Sequence, residues 1–132
     1  MVGTAFDDVI YGRGGNDTIN GDIGNDFLRG GAGEDELRGD ADNDVLEGAL
    51  NSDFLEGGGC NDTLRSGPGL DYLVGNLGAD ELEGGPGDDT LIGLAGDFTS
   101  APSTDADDAG YLKPAVRLTK ILESGPPPGN LV

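Results

Sequence analysis

The chain has 132 residues, with 26 acidic side chains against 7 basic ones, a formal charge of −19, 26 glycines and only 35% apolar residues. A polyanion of that density repels nucleic-acid phosphates and anionic lipid surfaces, so neither is an expected partner. With no His and a single cysteine, Cys60, the chain cannot build a Ser-His-Asp triad, a cysteine zinc cluster or an internal disulfide.

Low apolar content and high net charge are the composition of a disordered chain, but the order of the residues is not that of one. The start, "MVGTAFDDVI", has neither a basic n-region nor an apolar h-region, and no apolar run reaches membrane-spanning length. Export, if it occurs, is therefore expected without a cleaved N-terminal signal. From Gly3 the chain steps in nines without insertion to Ile92: GTAFDDVIY, GRGGNDTIN, GDIGNDFLR, GGAGEDELR, GDADNDVLE, GALNSDFLE, GGGCNDTLR, SGPGLDYLV, GNLGADELE and GGPGDDTLI. Position six is Asp in all ten units: Asp8, Asp17, Asp26, Asp35, Asp44, Asp53, Asp62, Asp71, Asp80 and Asp89. Position eight is Ile or Leu in all ten, and position one is Gly in all but one, where Ser66 stands.

Glycine suits a turn that needs positive φ or close backbone approach. A turn poor in side chains leaves carbonyl oxygens free to converge, and one short carboxylate can complete an all-oxygen shell for a hard cation. An acidic solenoid without ions is the alternative, its aspartates hydrogen-bonding the backbone at corners. A pure corner role should admit Asn or Ser at position six somewhere, and none occurs.

The repeat G-G-x-G-x-D-x-U-x resembles that of the RTX (repeats-in-toxin) family, the hemolysin-type calcium-binding nonapeptides. The resemblance covers residues 3–92. It implies an all-β fold, a right-handed parallel β-roll (a β-helix-like solenoid) of about five 18-residue coils, each unit giving six residues of calcium-holding turn and three of strand. It also implies calcium held by the ten aspartates. Units two apart then share an edge, and ions seated between stacked turns number at most eight. Eight dications bring +16 against −19.

Strand alternation turns position eight inward and positions seven and nine outward. Position nine supports the two-unit coil independently: Arg29, Glu47, Arg65 and Glu83 alternate in sign every 18 residues, a cross-strand ion ladder. The aromatics at position seven, Phe27, Phe54 and Tyr72, read as strand packing. The pattern weakens at position four, where Phe6, Asp42, Asn51 and Cys60 replace Gly. Asp and Asn tolerate left-handed backbone best after Gly. Units five and six are therefore still expected to bind; "GALNSDFLE" keeps only one turn glycine, so Asp53 is the interior ligand that the pattern supports least. Phe6 marks an imperfect first cap, and Cys60 reads as an incidental free thiol.

After Ile92 the register slips: "GLAGDFTSA" puts Phe98 where Asp belongs. Residues 93–110 read as a degenerate turn and linker. Residues 111–132 form a cap or flexible tail, with Pro114 opening a short amphipathic stretch that Gly125 ends. By the resemblance, that segment could equally be an uncleaved export signal.

The function expected is therefore calcium binding with calcium-induced folding of a secreted or cell-surface acidic β-roll that performs no catalysis. Type I secretion machinery is the partner the resemblance implies. A calcium-dependent ligand-binding or adhesion module, or the repeat portion of a larger secreted toxin or hydrolase system, are the alternatives. Ice binding, one such ligand role, wants a regular Thr or Asn row beside the turns, and position three has none.

Overall fold

The computed structural model describes residues 1–93 and the backbone of 98–100. Within them the only regular secondary structure is strand: β1 (Val9–Gly14), β2 (Thr18–Ile23), β3 (Phe27–Ala32), β4 (Glu36–Ala41), β5 (Val45–Leu50), β6 (Phe54–Gly58), β7 (Thr63–Arg65), β8 (Tyr72–Asn76), β9 (Glu81–Glu83), β10 (Thr90–Ile92) and β11 (Phe98–Ser100). Odd strands form one parallel sheet in the order β1-β3-β5-β7-β9-β11, and even strands form another, β2-β4-β6-β8-β10. Through β10 every named pairing joins residues 18 apart, such as Leu28 with Leu46 and Leu37 with Leu55. Each nonapeptide is thus one side of the solenoid, two make a coil, and about five coils stack, as the repeat predicts.

The period-two alternation of a strand decides what lies inside. Ile19, Leu28, Leu37, Leu46, Leu55, Leu64, Leu73, Leu82 and Leu91 are at most 2% exposed and form one continuous core, with Ile10 packed partly buried at its first coil. The core is two facing aliphatic ladders, one side chain deep on each face.

The outer faces follow the sequence reading closely. Phe54 and Tyr72 stack at 5.6 Å between ring centroids, and Tyr11 meets Phe27 at 6.0 Å. Of the position-nine ladder, Arg29–Glu47 (3.5 Å) and Arg65–Glu83 (3.2 Å) are formed. Glu47 and Arg65 are strand partners, yet among the described residues no salt bridge joins them; Arg65 reaches Glu83 and Glu81 instead. On the opposite sheet Arg38 bridges Glu36 and Glu56, a cluster that the sign alternation did not point to. These pairs are half-exposed and stabilise the roll little.

Two departures have local causes. The first five strands run six residues, not three, because positions one to three of the following unit stay in the ladder. Leu77 shows the bond involved, its N–H donating to the Gly58 carbonyl at 2.9 Å. Proline at position three, Pro68 or Pro86, has no N–H to give, and the strands before them, β7 and β9, stop at three residues. At the far end β11 pairs with β9 at an offset of 17, Phe98 against Glu81. The pattern therefore resumes one residue early, so that Asp97 precedes Phe98 in sequence as Asp80 precedes Glu81. The amphipathic stretch expected after Pro114 lies outside the described residues.

Candidate metal centres at the corners

Each corner spans positions one to six, and two of these positions need left-handed backbone. φ is positive at positions two and four in every unit after the first, from Arg13 to Gly87. At position four the replacements follow the expected tolerance: Asp42 (φ 80°) and Asn51 (φ 79°) adopt it, as does the exposed thiol Cys60 (φ 72°). Asp42 and Asn51 also accept the Gly24 and Gly33 N–H groups of the preceding coil, both at 3.1 Å. Position two carries no constant residue type, so its conformation was hidden; Arg13, Asp22, Asp40, Ala49 and Asn76 all take it.

Position-one glycine serves space rather than φ. A Cβ on Gly21 would stand 2.3 Å from Asp26 Oδ2; one on Gly39 would stand 2.4 Å from Asp44 Oδ2 and 2.7 Å from the Gly57 carbonyl oxygen. The position-six carboxylate and the next coil's glycine carbonyl therefore converge on the volume that the absent side chain leaves open.

The ten aspartates fall into two columns, Asp8, Asp26, Asp44, Asp62 and Asp80 on one edge and Asp17, Asp35, Asp53, Asp71 and Asp89 on the other. Seven are at most 3% exposed, and Asp8, Asp17 and Asp89 are half-buried. Each Oδ1 from the second coil onward accepts the N–H of the aspartate one coil earlier, in eight bonds of 2.7–2.9 Å. Asp53 makes these bonds as its neighbours do, despite its glycine-poor unit. From the second coil onward one oxygen of each carboxylate thus does hold a corner, between coils rather than within its own turn.

The other oxygen is different. Oδ2 of Asp17, Asp26, Asp35, Asp44, Asp53 and Asp71 is buried with no hydrogen-bond partner among the described residues. Such an atom costs its full desolvation when it carries charge. Burial accordingly pushes Asp44 and Asp53 up to about 7, against the lowering effect of the amide bonds from Asp26 and Asp35, with neighbouring carboxylates adding to the rise. Asp26, Asp35 and Asp71 are raised for the same first reason. At the first corner, Thr4 donates its N–H and hydroxyl to Asp8 Oδ2, at 2.6 and 2.9 Å.

A second ladder escaped the sequence reading. At position five, Asn25 donates its N–H to Asp7, Asn43 to Asn25, Asn61 to Asn43 and Ala79 to Asn61, each to the side-chain oxygen one coil before. Its signal was present, as Asp or Asn at positions 7, 25, 43 and 61. The two ladders run in opposite directions, so on this edge the amides of Asn25, Asn43, Asn61 and Ala79 and those of the position-six aspartates from Asp8 to Asp62 are satisfied by side chains. Among the described residues no three His, Cys, Asp or Glu side chains gather at one point, so a cation here would be bound chiefly through main-chain oxygens with single carboxylates.

Fold and corners together define a parallel β-solenoid repeat protein with buried carboxylate columns along both edges. The family model of the RTX calcium-binding nonapeptide repeat matches the chain four times, over residues 1–28, 21–55, 38–73 and 66–97, and the chain belongs to that family. Calcium binding is the property these repeats carry, and the repeat is structural rather than catalytic. No match to a curated protein accompanies it.

Proposed function

We propose that the chain binds calcium between stacked corners, through the position-six aspartates, and that binding drives folding of the roll after export. The carrying observation is the set of buried, unpartnered Oδ2 atoms beside glycines that have no room for a Cβ. Carboxylate and carbonyl oxygens are the donors calcium prefers, and its tolerance of irregular shells of six to eight oxygens suits a corner built from main chain. The ligands are Asp8, Asp17, Asp26, Asp35, Asp44, Asp53, Asp62, Asp71, Asp80 and Asp89. One ion per gap between stacked corners makes eight the upper limit of this reading, and eight inter-coil carboxylate contacts mark those gaps. Calcium bound there supplies the positive charge that the columns lack. RTX repeat proteins are typically secreted, and this chain's own place is taken to be extracellular or on the cell surface, reached through type I secretion machinery. Equilibrium dialysis at millimolar free metal is expected to find several calcium ions per chain and far less magnesium; no bound calcium refutes the reading.

Asp44→Asn separates the two oxygens. The amide keeps a carbonyl oxygen to accept the Asp26 N–H, which Asp44 accepts at 2.8 Å, but loses the buried negative charge. The variant is expected to bind at least one calcium fewer. Without metal it should need less trimethylamine N-oxide than the native chain to fold, because a buried charge is gone. Needing more would show that the charge is no liability to the empty roll.

A further inference from the structure

Ser66 is the one residue that breaks the position-one glycine column, and it stands where the other units leave a space between carboxylate and carbonyl. It is completely buried, and its hydroxyl donates to the Gly84 carbonyl oxygen at 2.8 Å. Gly84 is the position-one residue of the next coil, so its carbonyl corresponds to those of Gly30, Gly39 and Gly57, which face the gaps at Gly12, Gly21 and Gly39. In those units two oxygens point into a gap that holds no proton donor. At the Ser66 corner a donor is built in: the residue carries a Cβ and a hydroxyl where the other units have neither, while Asp71 Oδ2 stays buried with no hydrogen-bond partner, as in those units. Asp71, the carboxylate of this corner, still accepts the Asp53 N–H at 2.7 Å and donates its own N–H to Asp89 at 2.9 Å, so the stacking of coils is intact.

We infer that the corner formed by Ser66, Asp71 and Gly84 takes no calcium, its serine hydroxyl occupying the ion's place as a permanent, metal-free latch between the last coils. This rests on the calcium reading of the other corners and narrows it: the native chain fills at most seven of the eight stations. The physical exchange is simple. A dication balances two converging oxygens by charge. A hydroxyl engages the carbonyl by one hydrogen bond and takes up the volume, so the corner closes at any calcium concentration. An array with one such corner keeps a fixed point near its C-terminal end when the other corners are empty.

The test is calcium stoichiometry at saturation, by equilibrium dialysis and by calorimetry, on the native chain, Ser66→Gly and Ser66→Ala. Ser66→Gly reopens the space and is expected to bind one ion more per chain. Ser66→Ala removes the hydroxyl but keeps a Cβ there, and is expected to bind the same number as the native chain. If glycine adds no ion while the native chain binds several, the latch is wrong and the calcium reading stands. If alanine also gains an ion, the hydroxyl's occupancy of the gap is refuted. If the native chain binds none, both fall together.

Discussion

In metal-free buffer at pH 7.5 the chain is expected to show almost no strand signal by circular dichroism, and to recover it on adding calcium to about 10⁻⁴ to 10⁻³ M, the range of extracellular modules. The reason is how little each unit buries. Nine residues lose backbone freedom for one inward Leu or Ile, and the core is a single aliphatic ladder on each side. The same unit also buries one carboxylate, and the column repeats that carboxylate at every coil. Hydrogen bonds along the corners satisfy Oδ1 of Asp26, Asp35, Asp44, Asp53 and Asp71, leaving the second oxygen of each and its charge. An ion that binds only the folded state adds about 2.7 kcal/mol at a hundred times its dissociation constant, and several such sites add up. Because each coil contacts chiefly its neighbours, the gain spreads along the stack and the transition should be cooperative in calcium. Magnesium, which demands a tight octahedron and keeps its waters, should not substitute. A chain that stayed protease-resistant and strand-rich in metal-free buffer would remove the link between ion and fold.

Acid should act in opposite directions on the empty and the loaded chain. The Asp44 and Asp53 carboxyls stand near 7 in the empty roll and Asp26, Asp35 and Asp71 are raised as well, burial being the main cause. In the unfolded chain an Asp titrates near 4. A raised pKa means that the fold prefers the proton, so the penalty is absent below about pH 4, grows as pH rises and is complete above about 7. The metal-free chain at pH 4.5 is therefore expected to show more strand signal than at pH 7.5. With calcium present, protons compete for the same oxygens, and affinity should fall below pH 7, by roughly tenfold per pH unit for each of Asp44 and Asp53. Circular dichroism and dialysis at pH 4.5 and 7.5, in buffer stripped of metal and in millimolar calcium, give all four states. Equal disorder of the metal-free chain at both pH values would show that buried charge does not hold it open.

Residue types at fixed spacing carried much of this into view. Asp at the sixth place and Leu or Ile at the eighth of every nonapeptide identified the corners and the core, and the change of sign at position nine every 18 residues paired the units into coils. The glycine columns were visible too, but the reason for them was not. A glycine at position one and a glycine at position four look alike in a sequence, yet one makes room for a carboxylate and the other permits positive φ. Position two, left-handed in nine units with five of them non-glycine, gave no sign at all, because the ladder on either side holds it in place whatever its side chain.

By itself, the sequence determined the period, the inward face, the two aspartate columns and the acidic character of both edges, since each depends only on which residues recur. The tertiary structure alone decided which atom of each carboxylate is used between coils and which is left over. It also decided that position-five side chains run a second ladder in the reverse direction, and that Ser66 reaches the Gly84 carbonyl. Those outcomes depend on the offset and direction with which one coil lies on the next, and residues 18 apart acquire donors and acceptors only when that stacking is made.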